Sequence, residues 1–196
     1  MREIINLFIA VLIFSTVSGG LLAFVKDGTQ ERITDQQLKF VKGPAIEQIL
    51  EGCSNEPIKD RFVLTDGAED RIFFVGEFDG KRDIVAFESM GGGFGGDIGV
   101  IVAVNVETDD IVGVAVTTHS ETPGVGSRTK DDPGFGAQFT GISIKESFTV
   151  KTDGGRIDAI SGATVSSKGV CAAVTTSSAV YLRLKDQIIK KLQDKV

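Results

Sequence analysis

The chemistry in this chain is concentrated in Asp158-Ala159-Ile160-Ser161-Gly162-Ala163-Thr164, where small residues leave the Thr164 hydroxyl accessible just before a predicted helix. Gly162 and Ala163 carry almost no side chain, so a second enzyme with a bulky donor can approach that hydroxyl without a clash. Ser166, Ser167 and Lys168 follow at once and open an apolar periodic segment. A phosphate esterified to Thr164 would therefore lie beside a helix N-terminus, where unpaired backbone N–H groups and the helix dipole favour an anion. Taken alone, the four residues Ser161 to Thr164 are better read as a strand-to-helix turn in which a hydroxyl caps the helix.

Two further segments have residue types suited to a ligand. In His119-Ser120-Glu121-Thr122-Pro123-Gly124-Val125-Gly126, Pro123 and Gly124 enforce a turn after a strand. That turn brings Glu121 and Thr122 out at a sheet edge as hydrogen-bonding groups, or else forms an ordinary polar loop. The run Gly91-Gly92-Gly93-Phe94-Gly95-Gly96 would let backbone approach a phosphate or a flat ring. It lacks a Walker lysine, and a strand rather than a helix follows it, so neither nucleotide-binding fingerprint is met. A flexible connection is the expectation there. His119 is the only histidine, which excludes a multi-histidine metal site or a haem pair and leaves a Ser-His-Asp hydrolase dependent on this one residue. Cys53 and Cys171 could pair in an oxidising compartment, although Cys171 falls in a predicted helix where a small buried hydrophobe is the expected role.

The elements that must position these residues follow from periodicity. Arg71 to Phe78 and Arg82 to Glu88 are β-rich runs around Asp79-Gly80, a pair suited to a tight hairpin. Ile98 to Val106 is almost continuously apolar, as for a strand covered on both faces, and Glu107 to Asp110 turns the chain into a strand over Ile111 to Thr118. These four strands predict an antiparallel sheet. Glu146 to Lys151 and Arg156 to Ile160, around Asp153-Gly154-Gly155, predict a second hairpin leading into the Asp158–Thr164 run. Val170, Val174, Tyr181, Leu184 and Ile188 have helical spacing, so a long C-terminal amphipathic helix should pack on the sheet. The expected fold is α+β, with no internal repeat.

Ahead of the sheet, Ile4 to Val25 is uncharged and mostly aliphatic, long enough at about 1.5 Å per residue to cross a hydrocarbon core of about 30 Å. It is read as one retained transmembrane helix, since the n-region is thin and no clear cleavage site follows. Thr34 and Gln37 have capping-box spacing and predict the start of a juxtamembrane helix; Gly43-Pro44 interrupts it and opens a short helix over Ala45 to Leu50. The chain thus divides into an anchor (1–27), a juxtamembrane helical segment (28–60) and a folded domain (61–196). The 196 residues carry a net charge of −6, and the sequence pI is about 4.9. No basic stripe is present, which argues against a nucleic-acid partner. Lys26, Arg32, Lys39 and Lys42 follow the span while only Arg2 precedes it, so a bare count of positive charges puts the domain in the cytoplasm.

The Asp158–Thr164 run resembles the Asp-x-x-Ser-Gly-Ala-Thr sequence on which a flavin transferase links FMN through its phosphate to threonine in RnfG and NqrC subunits of respiratory complexes. Glu121-Thr122-Pro123-Gly124-Val125-Gly126 is similar to the Glu-Thr-Pro-Gly-Leu-Gly sequence of the same families, with Val125 in place of the usual leucine. Anchor, glycine run, turn and threonine motif come in the family order, and the histidine before the turn and the shortness of the chain favour RnfG. The resemblance implies an antiparallel-sheet FMN-binding domain and FMN held as a phosphoester on Thr164. It further implies that Asp158 is recognised by the transferase, that Ser161, Gly162 and Ala163 lie about the phosphate, and that Glu121, Thr122, Gly124 and Gly126 lie near the isoalloxazine ring. The implied role is electron relay in an ion-translocating ferredoxin:NAD oxidoreductase, among other integral membrane and redox subunits, on a lipid-embedded anchor in the cytoplasmic membrane. No independent catalysis is then expected. Against the charge count, the resemblance puts the flavin domain on the periplasmic side. The alternatives are an NqrC-like component of a sodium-pumping NADH:quinone oxidoreductase, a stand-alone membrane flavin reductase, and a non-redox single-span binding or assembly protein.

Overall fold

A computed structural model describes residues 2–194. Helix α1 (Arg2–Gln37) opens the chain, and its stretch Arg2–Gln30 is by length and composition able to cross a membrane. Its apolar residues are exposed on every side, from Ile4 and Leu7 to Phe24 and Val25. Thr16 and Thr29 turn their hydroxyls back onto the Leu12 and Val25 carbonyls at 2.8 Å each, which satisfies them without water. Thr34 does the same, donating to the Gln30 carbonyl at 2.9 Å. It therefore caps nothing: α1 passes through the expected helix start without a break, because residues 26–37 contain no proline and only one glycine, Gly28. A five-residue π-helical segment, Leu38–Lys42, leads into α2 (Gly43–Ile49), with Pro44 in its first turn where a missing N–H costs nothing. The compact division of the chain falls between Phe40 and Val41.

In the second unit, five strands form an antiparallel meander in the order β1 (Arg61–Asp66), β2 (Glu69–Phe78), β3 (Lys81–Gly92), β4 (Asp97–Asn105) and β5 (Ile111–Val116). The turn between β2 and β3 is Asp79-Gly80, both at positive φ (50° and 76°), as a primed hairpin turn requires. Strand β1 adds one strand to the expected four; Phe62 and Leu64 face inward while Arg61, Val63 and Thr65 face out. Ile98 to Val104 of β4 are buried on both faces, as their continuous apolarity predicts.

The cover on one face is α5 (Thr164–Gln193), whose Val170, Val174, Tyr181, Leu184 and Ile188 are all buried against Phe73, Val85, Phe87, Val100 and Val102. Each such side chain contributes roughly 1.5–3 kcal/mol by leaving water. On the other face sits α2: Ile46 and Leu50 are fully buried, and Gly113 of β5 leaves room for Ile49. The far end of α5 is pinned by Asp109, which lies in the β4–β5 turn at φ 64°. Its carboxylate accepts from the Tyr181 hydroxyl at 2.6 Å, from Lys145 Nζ at 2.6 Å and from Lys185 Nζ.

Between β5 and α5 the chain is irregular, with two short helices, α3 (Arg128–Asp131) and α4 (Pro133–Ala137). The second hairpin expected over 146–160 does not form. Its two arms touch through a single parallel bridge, Val150 to Ile157, and Lys151–Asp153 makes a 3₁₀ turn closed by Gly154 at φ 83°. Phe148, Val150, Ile157 and Ile160 bury their side chains in the same core as α5, and this packing overrides strand pairing. The two cysteines are free thiols; Cys171 is buried in α5, where desolvation raises its pKa to about 11.

Candidate functional site

The meander brings three segments to one end of the sheet: the turn after β3, the loop after β5, and the start of α5. Helix α5 begins at Thr164, after Gly162 at φ 81° has reversed the chain. No side chain caps it. The residue before the helix is Ala163, and Ser167 instead braces the approach, accepting from the Ile160 N–H at 3.0 Å and donating to the Ala163 carbonyl at 2.9 Å. The capping alternative for Ser161 or Thr164 is therefore not what the fold uses. The first intrahelical bond runs from the Ser167 N–H to Ala163, so the N–H groups of Thr164, Val165 and Ser166 are the ones a helix leaves without an internal partner.

A cleft of about 410 Å³ opens at this point, lined by Phe94, by Glu121, Thr122, Val125 and Gly126 of the loop, and by the start of α5 from Gly162 to Ser166. Six of the predicted site residues line it: Glu121, Thr122, Gly126, Gly162, Ala163 and Thr164. Gly124, at φ 73°, shapes the turn in which Thr122 accepts from the Val125 N–H at 3.2 Å, but it does not line the cleft. Ser161 is exposed outside it. Asp158 is also outside, its carboxylate paired with Lys151 at 2.7 Å and its N–H donating to Gln138 Oε1 at 2.7 Å. A second cleft of about 330 Å³, bordered by Phe148, Cys171 and Thr175, contains none of the predicted residues.

Four lining residues were not singled out from sequence as site residues: Phe94, Val125, Val165 and Ser166. The first three are large apolar side chains left 74%, 41% and 50% exposed, and together they give the cleft an apolar rim. Phe94 carries a signal in retrospect, being the only large residue in the glycine run. That run is packed rather than loose. A Cβ on Gly91 would stand 2.0 Å from the Gly169 carbonyl oxygen, one on Gly93 2.4 Å from Glu121 Oε1, and one on Gly95 2.1 Å from the Ser120 carbonyl oxygen.

Glu121 is the charged group of the site, 5% exposed. Its Oε1 accepts from the Gly95 N–H at 2.9 Å, and its Oε2 accepts from the Ser166 hydroxyl. Burial pushes the carboxyl pKa up, yet the hydrogen bonds from Ser166 and from the Gly95 and Phe94 backbone outweigh it, with His119 adding a smaller effect, and hold the group below its ordinary range. Among the described residues no group of three or more His, Cys, Asp or Glu is placed to hold a metal ion.

Comparison with known proteins decides what this arrangement is related to. An FMN-binding domain family matches residues 93–178, the span from the glycine turn to the middle of α5. The G subunit of the ion-translocating oxidoreductase complex of Methanosarcina acetivorans is 30% identical over 175 residues, covering 88% of this chain and 92% of that protein. The chain belongs to this G-subunit family. The corresponding G subunit of Pseudomonas aeruginosa UCBPP-PA14 is 32% identical over 176 residues, covering 83% of this chain and 81% of the relative. The fold is shared with the C subunit of the Na⁺-translocating NADH-quinone reductase from Parabacteroides distasonis, at a TM-score of 0.59 and 21% identity over 79% of this chain and 96% of that one. It is shared also with NqrC of Shewanella oneidensis, at 0.54 and 25%, over 70% and 72%.

The residues present fit FMN. The cleft lies within the size range of small-molecule sites, roughly 300–1,000 Å³. It has an apolar rim for a flat ring system, and it ends on a helix N-terminus whose free N–H groups suit a phosphate. Gly126 keeps the turn and the helix close, since a Cβ there would stand 2.6 Å from Glu121 Oε2 and 2.8 Å from Ser166 Oγ.

Proposed function

We propose that this chain is the FMN-carrying electron-relay subunit of an Rnf-like membrane complex, with the FMN phosphate esterified to Thr164. The observation that carries the proposal is the position of Thr164: first residue of α5, half-buried, and lining the same cleft as Phe94, Glu121 and Thr122. Bound there, FMN would supply the redox chemistry, accepting and donating electrons singly or in pairs. The protein's own part is positional. Thr164 Oγ1 would be the tether, the N–H groups of Thr164, Val165 and Ser166 would meet the phosphate charge, and Phe94, Val125 and Val165, which line the cleft, would shield the ring from water. Thr122, exposed at the turn, offers a hydroxyl to the ring edge, and Gly124 and Gly126 give the turn its shape. No general acid or nucleophile of the chain is required, in keeping with a relay that has no independent catalysis.

Ser161, Gly162 and Ala163 form the small-residue approach through which a flavin transferase reaches Thr164, and exposed Asp158 marks that approach for the enzyme. The proposed organisation is a membrane anchor over residues 1–27, a juxtamembrane segment over 28–60 and the flavin domain over 61–196. A single pass through the cytoplasmic membrane would place that domain on the periplasmic side, among the other integral membrane and redox subunits of the complex. In such a setting a tether has a clear use, because a cofactor lost outside the cytoplasm is not readily replaced. The relatives in sequence favour an RnfG-like role over an NqrC-like one.

The test is Thr164→Ala, expressed with a competent flavin transferase. The wild-type chain should gain the mass of esterified FMN and give a flavin-fluorescent band after denaturing electrophoresis. The variant should fold and lose both. A fluorescent band that persists in the variant would refute the site.

A further inference from the structure

The resemblance to known flavin subunits puts Glu121 near the ring as a polar ligand group. The geometry points to a different role. We infer that Glu121 is a positioning residue, a buried carboxylate that clasps the glycine turn to the first turn of α5 and so sets the width of the cleft. Both of its oxygens are taken by protein donors from opposite walls, Oε1 by the Gly95 N–H at 2.9 Å and Oε2 by the Ser166 hydroxyl. The walls themselves are Phe94, which sits between Gly93 and Gly95, and Thr164 with Val165, which lie just before Ser166.

The space around the carboxylate is cleared on both sides. A Cβ on Gly93 would meet Oε1 at 2.4 Å, and one on Gly126 would meet Oε2 at 2.6 Å and Ser166 Oγ at 2.8 Å. Neither Gly93 nor Gly126 has a positive φ, so neither is demanded by backbone conformation; the clearance at Gly126 is for the carboxylate and Ser166, and at Gly93 for the carboxylate and the Ile98 side chain, 2.6 Å from such a Cβ. Ser166 stands at the third position of α5, so the clasp also places a full negative charge against the helix end that would face the phosphate. An isosteric glutamine keeps the clasp, its carbonyl accepting from Gly95 and its amide donating to Ser166 Oγ, while removing the charge. Alanine removes both.

The clasp is tested first on the full chain made without a flavin transferase, by hydrogen exchange at the Gly95 amide. Gly95 is itself exposed, so slow exchange there depends on the bond to Glu121. Glu121→Ala should exchange at least tenfold faster at that amide than wild type, and Glu121→Gln should match wild type. Ser166→Ala, which spares the Gly95 bond, should speed exchange at the Ser167 amide, the first hydrogen-bonded N–H of α5, while leaving Gly95 protected. Unchanged Gly95 exchange in Glu121→Ala would overturn the clasp, as would a Glu121→Gln rate equal to that of Glu121→Ala. A second arm rests on the proposed FMN reading. In flavin-loaded protein, Glu121→Gln should raise the reduction potential by about a tenfold change in the oxidised-to-reduced ratio, ~30 mV for a two-electron couple. An unshifted potential would remove the electrostatic half of the inference. Failure of Thr164 to carry flavin would leave the exchange result standing, so the two readings fall separately.

Discussion

The packing of α5 onto β3 can be tested by two adjacent substitutions with opposite expectations. Gly91 is buried near the end of β3, and a Cβ there would lie 2.0 Å from the Gly169 carbonyl oxygen and 2.7 Å from the Ala173 backbone nitrogen. Ordinary carbon–oxygen contact begins near ~3.3 Å, so helix and strand must part by roughly 1.3 Å. Both opposing atoms are backbone, and no side-chain rotation relieves the clash. Overpacking costs about 1–3 kcal/mol, and the upper end applies here. A domain of this size loses roughly 2–4 °C of Tm per kcal/mol, so Gly91→Ala should melt about 6–12 °C below wild type. Gly92, the next residue, has open space where its Cβ would go and no positive φ. Gly92→Ala should therefore melt at the wild-type temperature or slightly above, because the unfolded chain loses freedom. The assay is thermal unfolding of the full chain in detergent, followed by circular dichroism. A Gly91→Ala variant within about 2 °C of wild type, or a Gly92→Ala variant that falls as far, would refute the backbone-on-backbone contact.

Asp109 should govern acid stability. Burial alone would raise its pKa, but hydrogen bonds from Lys145, Lys185 and Tyr181 lower it from 3.8 to about 2, so its contribution of about 2 kcal/mol is full above pH 4 and lost as pH falls toward 2. Asp109→Asn, which tolerates φ 64°, should cost about that much at pH 7 and converge on wild type near pH 2 in urea titrations; a gap independent of pH would reject the assignment. Protease added to intact spheroplasts should digest the flavin domain down to the anchor, and a fully protected domain would reverse the proposed orientation.

What could be read from the sequence was what is local. The Asp79-Gly80 hairpin and the continuous burial of β4 depend on neighbours a few residues away, and both were legible. So was the face of α5, because five residues at helical spacing commit to one side. Strand β1 went unread because only Phe62 and Leu64 point inward across its six residues, too few for a period to stand out. The hairpin over 146–160 was read into Asp153-Gly154-Gly155, a turn sequence that ends a 3₁₀ helix as readily as it joins two strands. Only the burial of Phe148, Val150, Ile157 and Ile160 beneath α5 decides between them, and that is a long-range fact. Glu121 was singled out from the sequence, but the hydrogen bonds that bury it were not legible there. Its partners lie 26 and 45 positions away, at distances no motif encodes.

The topology explains why the site had to lie where it does. In an antiparallel meander the end of β3, the start of β4 and the end of β5 share one end of the sheet, so the glycine turn and the Glu121–Gly126 turn become neighbours without any special contact. The helix that starts beside them then runs back across the sheet, from Thr164 at the cleft to Tyr181 and Lys185 beside the β4–β5 turn, about 26 Å from Thr164 to Tyr181. Asp109 holds that part of the helix through two donors, Tyr181 and Lys185, and the Gly91–Gly169 contact holds the near half at backbone distance. With the helix fixed at both places, its first turn has little freedom left to wander. The clasp by Glu121 then needs to set only one variable, the approach of the Phe94 turn to Thr164, and a single buried carboxylate is sufficient for that.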